Sequence, residues 1–208
     1  MLVAQESKTQ WPGISELAGQ YLSFEVGEMV CALQKHKVKG LGEAPEILTF
    51  PESPRFVKGI VNVRGNAIPL IDLHGRFGMR LKAESEGRDI ILVWIHKGSL
   101  TLTAAVLTDA IRGIVDVQTD QIEPAPADTP RMDTSMIPGM ATVRGTERML
   151  LDLDGIFSED EVIALKNIEN DKPTKGPPVK GSSPDNRSFS AISNFDAASE
   201  PTTEKTRR

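Results

Sequence analysis

The sequence predicts an all-β protein built as two small closed barrels, and two observations carry that prediction. Short apolar stretches with period-two alternation recur between turn signals, a pattern of many short antiparallel strands. One phrase also occurs twice. Gly59–Phe77 and Gly139–Phe157 align without gaps with nine identities in nineteen positions, where chance would give roughly one. Closed barrels use short strands while removing exposed edges, and two of them accommodate the repeat.

The elements follow in chain order. WPGISELAGQ predicts a short N-terminal helix with Pro12 in its first turn, within an extension over 1–19. YLSFEV puts Leu22, Phe24 and Val26 on one face, Gly27-Glu28 turns the chain, and MVCAL returns. FVKGIVNV and AIPLIDL form a hairpin split at Arg64-Gly65-Asn66. DIILVWI, a turn at Lys97-Gly98, SLTLTAAVL, AIRGIVDV, GMATV and RMLLDL complete roughly ten strands between residues 20 and 154. In SEDEVIALKNIEN, Ser158 and Glu161 form a capping box, and Val162, Leu165 and Ile168 supply an apolar stripe, so a closing helix should pack back on a barrel. From Glu169 to Arg208 the chain is rich in proline and small polar residues, and a disordered polar tail is expected. Within it, SFSAISNF spaces Phe189, Ile192 and Phe195 by three, which leaves a short docking helix as the alternative to plain disorder.

Composition narrows the function. With 208 residues and 39% apolar residues the chain can bury a core without staples. The single cysteine, Cys31, excludes an intrachain disulfide, no Cys/His spacing suits zinc, and a packed thiol is expected. IILVWI is too short to span a bilayer and the N-terminus lacks signal-peptide character, so a cytoplasmic protein without direct membrane insertion is expected. A net charge of −5 without a Lys/Arg block, and few aromatic residues, removes the footprint of nucleic-acid binding.

Candidate chemistry is thin. Asp72 and Asp152 could form an acid/base pair, but the repeat places them at equivalent points of separate barrels, where ion pairing or turn capping is expected. Arg64 and Arg144 precede the turn glycines Gly65 and Gly145, which supply positive φ. Each arginine is either a solvated turn residue or a partner contact. No glycine segment has phosphate-loop spacing. His36, His74 and His96 share no motif and are expected at the surface. No catalytic, cofactor or metal residue is assigned, and binding is the default.

Over residues 20–168 the chain resembles the CheW family of coupling proteins of bacterial chemotaxis arrays. YLSFEVGEMVCAL is similar to that family's opening hairpin. ILTFPESPRFVKGIVNVRGNAIPLIDLHGRFGM is similar to its Thr-x-x-Pro loop followed by V-x-G-V-x-N-L-R-G-x-x-x-P-x-x-D-L and an F-G end. QTDQIEPAP and GMATVRGTERMLLDLDGIF match its later signatures. The resemblance implies two intertwined SH3-like five-stranded barrels with a hydrophobic groove between them, no cofactor and no enzyme activity. It implies an adaptor that couples the cytoplasmic tip of methyl-accepting chemoreceptors, through the groove, to the regulatory domain of a CheA-type histidine kinase, through barrel contacts, recruited to membrane-associated arrays. By motif it puts the partner-binding residues Val38 and Leu41 at the groove, with Gly40 between them and Arg64 adjoining. Gly40 stands where the family commonly has a glutamate, the natural partner of the N-x-R-G arginine, so Arg64 is expected to be free to reach a receptor carboxylate or another side chain. His74 stands where an arginine is common. Rival readings are the same adaptor in a non-flagellar pathway serving pili, gene expression or development, a β-barrel enzyme, and a detached kinase regulatory domain.

Overall fold

In the computed structural model, described over residues 13–49, 56–79, 89–125, 136–170 and the backbone of 189–190, strands dominate and form two sheets. The first comprises β1 (Gly19–Val26), β2 (Met29–Gln34), β9 (Ala110–Val117), β10 (Ile122–Glu123), β11 (Gly139–Val143) and β12 (Thr146–Leu151), in the order β10-β11-β12-β2-β1-β9. The second comprises β3 (Val38–Glu43), β4 (Ile47–Leu48), β5 (Val57–Val63), β6 (Asn66–Asp72), β7 (Asp89–Lys97), β8 (Leu100–Thr108) and β13 (Phe189–Ser190), in the order β13-β3-β7-β8-β6-β5-β4. The ends of each ring are neighbours in the chain. β3 runs into β4 through residues 44–46, and β9 runs into β10 through a 3-10 turn at Thr119–Gln121, so one bent segment closes each barrel. These are the two SH3-like barrels of the expected fold.

The barrels are built alike from strands in rotated order. Barrel 2 takes β3–β4, the hairpin β5–β6 and the hairpin β7–β8 consecutively, with β6 and β8 parallel. Barrel 1 takes the equivalent β9–β10 and β11–β12 from late in the chain and the hairpin β1–β2 from its start, with β12 and β2 parallel. The repeated phrase is therefore the hairpin β5–β6 and its counterpart β11–β12.

Three apolar clusters result. Tyr21, Ala32, Val115, Val117, Val143 and Leu150 belong to the interior of barrel 1, and Val61, Ile68, Leu70, Ile90, Ala105 and Leu107 to that of barrel 2. The largest cluster is a seam between the barrels, with Leu22, Phe24, Leu33, Ile91, Ile95 and Leu102 among its members. Alternate residues of β1, β7 and β8 thus face an interior and the seam in turn. Strands buried on both faces read as continuous apolar runs, which explains IILVWI. The face of Leu22, Phe24 and Val26 is the seam face, while Tyr21 and Ser23 on the opposite face are also buried.

The hairpin tips follow the turn chemistry and exceed it. Val63 pairs with Asn66 and Val143 with Thr146, leaving two-residue turns. Both central residues have positive φ, Arg64 at 53° with Gly65 at 82°, and Arg144 at 52° with Gly145 at 76°, as a type I′ turn requires. The glycines adopt this freely; the arginines are held in it by the hairpin, at a cost of about 1 kcal/mol each.

The N-terminal helix forms as a 3-10 turn over Ile14–Leu17, and Pro12 lies outside the described residues. The closing helix α3 (Glu159–Asn170) forms with its capping box intact: Ser158 N donates to Glu161 Oε2 at 2.8 Å, and Glu161 N donates to Ser158 Oγ at 3.2 Å. It leaves barrel 1 and packs on β6 and β8 of barrel 2, sinking Val162 and Leu165 into the seam. Most of the tail expected to be disordered lies outside the described residues. Phe189 and Ser190 form a strand rather than part of a docking helix.

Gly59 and Gly139, equivalent in the repeat, face the short strands that close their barrels. A Cβ on Gly59, whose φ is +150°, would sit 2.3 Å from the carbonyl oxygen of Leu48 in β4; on Gly139 it would sit 3.0 Å from that of Glu123 in β10. Gly59→Ala should therefore lower stability by about 3 kcal/mol, and Gly139→Ala by about 1 kcal/mol, in denaturant unfolding. Equal losses would show that barrel closure does not depend on these approaches.

Candidate functional site

The residues singled out by resemblance divide between one strand and one turn. Val38, Gly40 and Leu41 lie on β3, antiparallel to β7, with Gly40 opposite Leu92 and Leu41 opposite Ile91. A register shift between Val38 and Gly40 bulges the strand. Such a bulge re-aims a side chain: here Lys39 is exposed between the buried Val38 and Gly40. Its ammonium stands 5.8 Å from the ring centroid of Trp94, itself 37% exposed on β7. Arg64 is exposed at the tip of β5–β6.

Two expectations are corrected here. Val38 and Leu41 are not exposed in an apolar groove; they are 4% and 3% exposed and belong to the seam, because the bulge at Lys39 brings these two residues, three apart in sequence, onto the same inward face of β3. The zone between the barrels that includes them is packed core. Arg64, without a glutamate at Gly40, is engaged within the chain, which accords with the expectation that it could reach another side chain. His74 is not a surface residue but is 2% exposed. His36 is exposed, as expected, and so is His96.

His74 opens a polar latch across the seam that sequence reasoning missed. Asp72 ends β6 and caps the short helix α1 (Leu73–Arg76), accepting from the His74 amide at 3.0 Å. The imidazole lies between carboxylates, with Nδ1 2.8 Å from Asp72 Oδ1 and Nε2 3.0 Å from Asp109 Oδ2. Asp109, between β8 and β9, accepts from Gly27 N at 2.6 Å in the β1–β2 turn. The chain of contacts runs from α1 of barrel 2 to the opening hairpin of barrel 1. Asp72 Oδ2 also faces Lys58 Nζ at 3.4 Å. Its expected role as cap and ion-pair partner holds.

The second copy repeats the cap with other companions. Asp152 caps α2 (Leu153–Ile156), accepting from Asp154 N at 3.0 Å. Asp154, equivalent to His74, pairs with Lys37 and accepts from His96 N at 2.7 Å. Burial first, then the charge of Asp154, raises the Asp152 carboxyl above the usual carboxylate range, against the lowering influence of backbone amides and Lys37. Arg148 is fully buried in barrel 1 and donates to Val143 O at 2.7 Å and Thr146 O at 2.8 Å, fastening the Arg144-Gly145 turn. Arg76 donates to Glu161 Oε1 at 3.0 Å and stacks over Phe56 at 5.1 Å, tying α3 to barrel 2.

These charged groups are spent on holding the barrels together. The thiol of Cys31 is fully buried and pushed up to about 12 by that burial, a packed group and not a nucleophile. Among the described residues no His/Cys/Asp/Glu group is arranged to hold a metal ion, and no helix is long and apolar enough to cross a membrane. Near the residues singled out by resemblance, the exposed groups among the described residues are Lys39 on the bulged strand β3, Trp94 beside it and Arg64 at its turn.

Comparison with known proteins agrees with this architecture. A family model described as CheW-like domain matches residues 20–161. The chemotaxis protein CheW of Rhizobium meliloti is 27% identical over 142 residues, 68% of this chain and 89% of that protein. The chemotaxis protein CheW of Klebsiella aerogenes is 22% identical over 160 residues, 74% of this chain and 94% of that protein. The crystal structure of the scaffolding protein TtCheW from Thermoanaerobacter tengcongensis superposes with a TM-score of 0.61 at 29% identity, covering 70% of this chain and 96% of that one.

Two predictions follow from the burial of these groups. Val38→Asp places an unpaired charge in the seam and should cost at least about 3 kcal/mol of stability, whereas Lys39→Ala should cost no more than about 1 kcal/mol; a fully stable Val38→Asp protein would return Val38 to the surface. For Asp152, the folded chain holds its proton more tightly than the unfolded chain. Stability therefore falls as pH rises through the window between the two pKa values, and the deficit persists above it. Asp152→Asn keeps an oxygen for the Asp154 amide and removes that deficit. Its thermal midpoint should exceed the parent's at pH 7 and converge on it as pH falls through the weakly acidic range, whereas a gap constant with pH would place the effect elsewhere.

Proposed function

This chain belongs to the family of CheW-like domains, and on that premise we propose that it is a non-enzymatic adaptor holding chemoreceptor tips and the regulatory domain of a CheA-type histidine kinase in one signalling array. The match of the family model across both barrels, residues 20–161, is the observation that supports this reading most directly. The fold suits the task. An array assembled from many modest contacts gains stability by multivalency, which requires rigid modules that keep their surfaces in fixed relation. The seam and its polar latch supply that rigidity between the barrels.

We place the partner-facing surface on β3, from Val38 to Leu41, and on the turn at Arg64. Val38 and Leu41 act from beneath, by fixing the strand. Lys39 and Trp94 are the groups that meet a partner, joining a cation to an aromatic face of the kind enriched at interface hot spots. Arg64 adds a second cation at an exposed tip whose backbone the hairpin fixes, and its side chain would exchange its contact within the chain for one with the partner.

The chain should co-elute in size-exclusion chromatography with a receptor signalling fragment and a CheA regulatory domain; failure to associate with either would reject the adaptor reading. Lys39→Glu should weaken the receptor complex about tenfold or more at unchanged thermal midpoint, since it reverses a charge on the proposed surface. Arg64→Asn provides a further check, because Asn-Gly suits the turn: the thermal midpoint should hold or rise while the complex weakens. Undiminished binding by both variants would remove this surface from consideration.

A further inference from the structure

The outer edge of β3 carries an occupant from the chain itself. Phe189 pairs antiparallel with Gly42, and Ser190 with Leu41, so β13 is added beyond β3 at the end of the second sheet. An edge strand with unpaired amides and carbonyls is a template for another strand, and strand addition is a recurring mode of peptide recognition. Leu41 and Gly42 are the last residues of β3 before its acidic end at Glu43, directly after the bulge that exposes Lys39. The backbone between Asn170 and Phe189 can span roughly 60 Å when extended, ample for a segment tethered at α3 to reach this edge. Tethering makes the contact intramolecular, with an effective concentration set by the length of chain between the two points. A two-residue strand can then hold the edge without high intrinsic affinity.

We propose that Phe189–Ser190 is a built-in competitor for β3, an added strand that must leave before a partner can settle on the Val38–Leu41 surface. The inference rests on the reading of β3 given above, and deepens it by supplying a regulator of that surface. The apparent affinity for the partner is reduced by the fraction of molecules whose β3 edge is uncovered, so changes in the tail tune coupling without altering either barrel.

The test uses the full chain and a variant carrying Phe189→Pro and Ser190→Pro, which lacks the amides a strand needs and cannot extend the ladder. Hydrogen exchange at Leu41 or Gly42, whichever amide points toward β13, should accelerate in the variant while exchange in β7 and β8 stays unchanged. Its affinity for a receptor signalling fragment should rise roughly three- to tenfold. Unchanged exchange at that amide overturns the proposal, because no strand then covers the edge. Faster exchange with unchanged affinity also overturns the competition. In that case the Lys39→Glu variant separates the causes: if it still weakens binding, the β3 surface stands and only the competitor falls; if it does not, the surface assignment has failed as well.

Discussion

Everything in this protein depends on the apolar seam between the barrels. Each barrel interior is small, and the strands of β1–β2 and β7–β8 bury as much outward as inward. Each aliphatic side chain taken from water there contributes about 1.5–3 kcal/mol before ordering costs. Neither hairpin could leave its seam face in water without exposing a continuous apolar surface. Both barrels therefore behave as one body, and the polar groups at the margin, with His74 between Asp72 and Asp109, fix how one sits on the other.

The duplication shows which parts of a barrel are interchangeable. Both copies keep the turn arginine and glycine, the capping aspartate, and the glycine that admits a closing strand. They part where the copies meet different neighbours. Position 74 is a histidine latched to the other barrel, and its counterpart 154 is an aspartate held by Lys37. Position 148 is a buried arginine fastening its own turn, where the first copy has Ile68 in the core. A repeated hairpin can thus serve two barrels while its seam-facing end and one interior position specialise.

Strands, turns, the capping box and the capping role of the aspartates were legible in the sequence because each is set by local chemistry at fixed spacing. The seam was not. Period-two alternation reveals one buried face, and a strand buried on both gives no polar register to contradict it, as Tyr21 and Ser23 show beside Leu22 and Phe24. Val38 and Leu41 were put at a groove by motif resemblance, which carries no information on burial, and they lie inside. The His74 latch was hidden because its second carboxylate, Asp109, is distant in sequence and carries no motif. Pairing of Phe189–Ser190 with β3 is equally non-local, and the polar composition around it pointed elsewhere.

The rotated strand order also sets a schedule for synthesis. Barrel 2 is drawn, apart from β13, from one contiguous stretch, Val38 to Thr108, and all its ladder partners have been made before β9 begins. Barrel 1 places β1–β2 at the start and β12, the parallel neighbour of β2, more than a hundred residues later. During translation the opening hairpin waits first for β9, which pairs with β1, and then for the second copy of the repeat, whose β12 pairs with β2. Barrel 2, already able to close, offers that hairpin a seam surface to rest on, so the earlier barrel serves as the mould on which the later one is completed.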